Sequence, residues 1–200
     1  MAQYFLINKP FGMLSQFTRE ADHHRVLGDL YPFPKNVYPV GRLDRDSEGL
    51  LILTDDTSLN AQLLRPEKEH PRTYWVQVEG NPTPQAIKQL EGGVVIKLKK
   101  KTWQCAKTEV SALPDEISST IPPRQPPVRF RKTVPDSWWS IKLTEGKNRQ
   151  VRKMWAKVGY PVLRLLRFSI EDVTLNDLEG ESVVAVQREW LFPNLNLKLP

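Results

Sequence analysis

Two arginines and three carboxylates fall within nine residues, Gly41-Arg42-Leu43-Asp44-Arg45-Asp46-Ser47-Glu48-Gly49, and the next four, Leu50, Leu51, Ile52 and Leu53, are all apolar. A short apolar run bounded by turn residues has the pattern of a buried strand, so the charged loop is delivered straight into a core element. A polar loop held by a rigid strand is a favoured place for catalytic groups. Its chemistry would be that of carboxylates: a nucleophile at an electrophilic carbon, a base, or one of a glycosidase-like pair. The flanking glycines permit tight backbone turns. Charge alone does not rank Asp44, Asp46 and Glu48, and such a loop is often simply a salt-bridged surface turn.

The elements that must hold this loop are legible in outline. Tyr4–Ile7 is a short apolar strand running into a turn of Asn8, Lys9, Pro10 and Gly12, which predicts an outward-facing Lys9 on a ligand rim. Residues 13–40 read as loop with a short helix near Val26–Tyr31. Ser58 is the expected cap of a helix over Leu59–Leu64 that Pro66 ends. Thr73–Glu79 alternates as a strand with Tyr74, Val76 and Val78 on one face.

Thr83 followed by Pro84 starts a helix that Gly92 and Gly93 stop, since proline at the first helical position lacks only an amide hydrogen that would go unpaired. Val94–Val110 reads as two strands around Lys97, Lys99, Lys100 and Lys101. A proline-rich loop, 114–135, follows as a surface segment or lid. Trp138–Leu143 is a strand, and Thr144–Asn148 turns into a helix with Val151, Met154, Trp155 and Val158 at amphipathic spacing. Val162–Ile170 and Val183–Val186 are the last strands before a proline-containing tail. Strands and helices mix without regular alternation, which predicts an α+β fold.

The chain has 200 residues, 40% of them hydrophobic and 26% charged, with a net charge of +6. That balance suits one globular domain over 1–200, and the basic excess favours a polyanionic partner such as nucleic acid. The single cysteine, Cys105, excludes an intramolecular disulfide and a thiolate zinc site, which fits a reducing cytoplasm. His23, His24 and His70 have no metal-ligand spacing, so no metal is expected. No apolar run reaches the ~18 residues of a membrane span, and neither an internal repeat nor a Gly/Ser linker divides the chain. The tryptophans are read as core or interface residues.

Gly41-Arg42-Leu43-Asp44 followed by Ser47-Glu48-Gly49-Leu50, with Leu51–Thr54 continuing, resembles the motif around the catalytic aspartate of pseudouridine synthases. Three further segments resemble that family in the same order: Asn8-Lys9-Pro10, Arg72-Thr73-Tyr74, and Glu145-Gly146-Lys147-Asn148-Arg149-Gln150-Val151-Arg152-Lys153-Met154. The last is similar to the RsuA branch. The resemblance covers roughly residues 4–190 and implies an α+β domain with a central mixed or antiparallel sheet and a cleft between two subdomains. It enters the catalytic domain at Tyr4, so no separate amino-terminal RNA-binding domain is expected.

The resemblance also implies an activity, the isomerisation of a uridine to pseudouridine in ribosomal RNA. Within the branch, the likeness is to its large-subunit (23S) enzymes. It assigns the catalytic carboxylate to Asp44, the base-stacking tyrosine to Tyr74 and the aspartate's basic partner to Arg152, with no cofactor. Lys9, Arg42, Arg45, Arg149 and Lys153 would meet RNA phosphates, because long cations near a site position a strand without reading its bases. Asp46 and Glu48 would be solvated or salt-bridged. The lysines 97–101 and Arg124, Arg129, Phe130, Arg131 and Lys132 are secondary candidates for RNA grip. The uridine would be extruded from its helix, by an enzyme expected to act as a monomer. The alternatives are an inactive RNA-binding or ribosome-assembly factor on the same fold, and a glycosidase using Asp44 and Asp46, which leaves the other three motifs unexplained.

Overall fold

A computed structural model describes residues 2–65, 68–128 and 134–198. The chain divides into two compact units, residues 1–70 with 166–200, and residues 71–165.

The first unit is built on β1 (Tyr4–Lys9), β2 (Tyr38–Pro39) and β3 (Glu48–Thr54). β1 is antiparallel to β3, pairing Tyr4 with Thr54 and Lys9 with Gly49. All seven residues of β3 are buried, because it is an inner strand covered on both faces. By the alternation of a strand, Leu50 and Ile52 face a core shared with Tyr4, Leu6, Leu59, Leu63, Ile170, Leu191 and Phe192. Leu51 and Leu53 face the opposite side. Helix α1 (Thr57–Leu63) follows, capped by Asp56, whose carboxylate accepts from the amides of Ser58 and Leu59. The expected Ser58 cap is thus displaced: Asp56 is the cap, and Ser58 supplies an amide to it. Asp56 also accepts a 2.7 Å hydrogen bond from the Tyr4 hydroxyl, which with burial pushes Tyr4 up to about 12.

The second unit holds β4 (Arg72–Glu79), α2 (Pro84–Glu91), β5 (Val95–Lys97), β6 (Thr102–Gln104), β7 (Glu109–Ala112), the short α3 (Asp115–Ser118), β8 (Asp136–Leu143) and α4 (Gln150–Lys157). β8 lies between β4 and β7, antiparallel to both, and β5 with β6 forms a separate hairpin. Thr83 caps α2 as expected, its hydroxyl accepting from the Ala86 amide. The core gathers Val76, Val78, Leu90, Ile96, Ile141, Met154 and Trp155, so the alternation of β4 and the apolar stripe of α4 meet one cluster. Part of the proline-rich segment is ordered as α3, while Arg129, Phe130, Arg131 and Lys132 lie outside the described residues.

β9 (Val162–Ile170) begins in the second unit and ends in the first, where it runs parallel to β3, making that sheet mixed. β10 (Val173–Thr174) pairs back on β9, and β11 (Val183–Val186) adds to the other edge of β1. The tail expected after β11 forms a helix instead, α5 (Arg188–Asn194), whose Leu191 and Phe192 are buried. Pro193 lies inside this helix, where it supplies no amide hydrogen to the backbone ladder. Among the described residues no helix is long and apolar enough to cross a membrane.

Candidate active site

The loop that enters β3 turns at two glycines of positive φ, Gly41 and Gly49. A Cβ on Gly49 would collide with the backbone of Arg167, its neighbour on β9. Glycine there lets two strands approach at the foot of the loop. The Ser47 amide donates to the Asp44 carbonyl at 3.0 Å, closing a turn.

Both neighbours of Asp44 are tied to the segment that follows β1. Ser15 Oγ donates to the Leu43 carbonyl at 2.8 Å and accepts from the Leu43 amide at 3.1 Å. The Gly12 amide donates to the Arg45 carbonyl at 2.8 Å. Ser15 is buried, so water does not compete for these bonds. Half-buried Asp44 therefore sits between two anchored peptides. Nothing in the sequence marked Ser15, because its partners lie 28 residues away.

Lys9 is fully buried, and its Nζ donates to the carbonyls of Met13 at 2.8 Å and Pro10 at 3.0 Å. This corrects the outward-facing lysine expected of the turn: the ammonium is drawn inward by carbonyls, and it presents no surface to a phosphate. Burial pulls its pKa down to about 8. The fields of Glu48, Asp46 and Asp44 work the other way, favouring the charged form, whereas Arg167 opposes it. Lys9 is therefore the positive charge beneath the carboxylates of the loop. Glu48 is buried as well, not solvated, while Asp46 is partly exposed. Arg167, also buried, donates from Nε to the Leu50 carbonyl at 2.7 Å. Its one signal in the sequence was a charge inside the apolar run of β9.

Arg42 and Arg45 are exposed, and Arg45 Nη1 lies 3.4 Å from His24 Nε2. In the second unit, Tyr74 is half-buried on β4 and packs against the core cluster. Arg152 projects from α4 and donates from Nη1 to the Val162 carbonyl at 3.2 Å, on the strand adjoining β4. Arg149 is exposed at the start of α4 in a left-handed conformation (φ 53°). Lys153 is folded back, with Nζ 2.7 Å from the Asn148 carbonyl.

The turn before α4 is fixed by Glu145. Its carboxylate accepts from Trp103 Nε1 at 2.9 Å, the Ala106 amide at 3.0 Å and Gln150 Nε2 at 2.5 Å. Gln150 Oε1 in turn accepts from the Lys147 amide at 2.9 Å. Among the described residues no group of three or more His, Cys, Asp or Glu side chains could hold a metal ion.

A sequence profile of RNA pseudouridylate synthases matches residues 3–157, a span that includes Asp44, Tyr74 and Arg152. The chain belongs to the RNA pseudouridylate synthase family. A ribosomal large subunit pseudouridine synthase E of Vibrio parahaemolyticus is 49% identical over 174 residues, 87% of this chain and 69% of that protein. Its namesake in Xanthomonas campestris pv. campestris is 47% identical over 175 residues, 87% of this chain and 90% of that one. The fold is that of a solved pseudouridylate synthase, with a TM-score of 0.74 at 22% identity over 95% of this chain and 72% of the other. The α+β architecture expected of the family is thus observed, with its mixed sheet in the first unit.

Proposed function

We propose that this synthase converts a uridine of large-subunit (23S) ribosomal RNA to pseudouridine in the bacterial cytoplasm, acting as a monomer on an extruded base. The observation that carries this reading is the 49% identity to a ribosomal large subunit pseudouridine synthase E across most of the chain. The reaction breaks the bond from ribose C1′ to uracil N1, turns the base, and joins C1′ to C5. The C5 proton leaves and N1 gains one, so the step is an isomerisation with no redox change.

Asp44 is the carboxylate at the sugar, as nucleophile or as base. Its fixed backbone supports either role, because the reacting oxygen must be held to within a fraction of an ångström. Tyr74 supplies an aromatic face for the base, a contact worth about 1–3 kcal/mol in such complexes. Arg152 is the basic residue that the family motif pairs with the catalytic aspartate. Arg42, Arg45, Arg149 and Lys153 hold phosphates.

Pseudouridine is mapped at nucleotide resolution in ribosomal RNA from cells lacking the protein, complemented with wild type or Asp44→Asn. The expected result is loss of a large-subunit site restored by wild type alone. An unchanged map would sink the proposal, and restoration by Asp44→Asn would remove Asp44 from the chemistry.

A further inference from the structure

The second unit carries a cationic surface that the reaction does not use. The β5–β6 hairpin turns through Lys97, Lys99, Lys100 and Lys101, all exposed. A lysine run alone is usually a solvated face, and what distinguishes this one is its anchorage. Trp103 on β6 has the Lys147 ammonium 4.0 Å and the Lys101 ammonium 5.6 Å from its ring centroid. The same indole donates to Glu145, the residue that fixes the turn before α4, and β5 packs against α4 itself. Glu145 is occupied by three donors, and Glu109 lies 3.5 Å from Lys142. Among the described residues none of the four hairpin lysines is in a salt bridge, and Trp103 ties Lys101 to Lys147 at the turn that leads to Arg149.

We propose that the β5–β6 hairpin is a second phosphate-binding site, with Lys97, Lys99, Lys100 and Lys101 gripping the RNA backbone beside the segment bound by Arg149. The inference rests on the reading of the protein as an RNA enzyme. RNA is the occupant that fits, because the lysines are long, flexible and sequence-blind, and Trp103 is occupied by cations instead of offering a free face for a base.

The test uses full-length chain and transcribed 23S ribosomal RNA labelled with tritium at uridine C5, which is released to water as C5 joins the sugar. The Lys97→Gln/Lys99→Gln/Lys100→Gln/Lys101→Gln variant is compared with wild type and with an equal charge reduction elsewhere, Lys35→Gln/Lys68→Gln/Lys88→Gln/Lys198→Gln. The hairpin variant is expected to raise KM about tenfold at physiological salt, far more than it lowers kcat. The slope of log affinity against log salt should fall by about 0.7–0.9 for each phosphate that the hairpin no longer neutralises. Matching slopes and KM values in the two variants would overturn the hairpin site, since net charge would then explain the effect. Absence of tritium release from wild type would instead count against the proposed activity, leaving the binding slopes to decide the hairpin.

Discussion

At the scale of single residues, Lys9 is where burial and charge conflict most. An ammonium without accessible surface is costly, and carbonyls and loop carboxylates offset that cost only in part, hence a pKa near 8 against 10.5 in the unfolded chain. Below pH 8 both states hold the proton, and this group gives stability no slope. Between 8 and 10.5 the unfolded state holds more protons than the native one, so the contribution of Lys9 to stability rises with pH. Relative to Lys9→Met, wild type should gain about 3 kcal/mol across that window. Urea denaturation of both proteins from pH 7 to 10.5 measures it, and a pH-independent difference between them would contradict the assignment.

Among elements, the active loop is held at two places by different means. At its exit, parallel β3 and β9 close on Gly49. At its middle, the segment after β1 grips the peptides either side of Asp44 through Ser15 and Gly12. Ser15→Ala removes two buried hydrogen bonds and frees the Leu43 peptide. Stability should drop by about 1–3 kcal/mol. Because small misplacements of a reacting group are expensive, kcat should fall about 10- to 100-fold while KM changes little. Ser15→Thr should restore most of both, since it returns the hydroxyl. Steady-state kinetics on labelled RNA would settle the matter: an effect on KM alone, or a failure of threonine to rescue, would deny Ser15 a positioning role.

For the molecule as a whole, the net charge of +6 favours association with a polyanion, and RNA is the one the proposed function requires. In the proposed function, phosphate contacts rest on residues other than Asp44. Asp44→Asn should therefore abolish pseudouridine formation yet leave affinity for transcribed 23S RNA within about twofold, with the salt slope of wild type. Filter binding at several salt concentrations tests this, and a fall in affinity together with activity would mean that Asp44 helps hold the RNA itself.

The sequence by itself determined the elements with strong local signals. β3 and β9 announced themselves as apolar runs, α2 by Thr83 and Pro84 before it and glycines after it, and β4 by period-two alternation. Motif resemblance singled out Asp44, Tyr74 and Arg152. Tertiary structure decided what depends on partners distant along the chain. Lys9 turned inward because carbonyls and carboxylates surround it, and Glu48 is buried because its strand is inner. Asp56 took the cap that Ser58 was expected to provide, and Leu191 and Phe192 folded the tail into α5. Local pattern encodes which face of an element is apolar, but whether a charged side chain is buried depends on the counter-charges and carbonyls that folding brings to it.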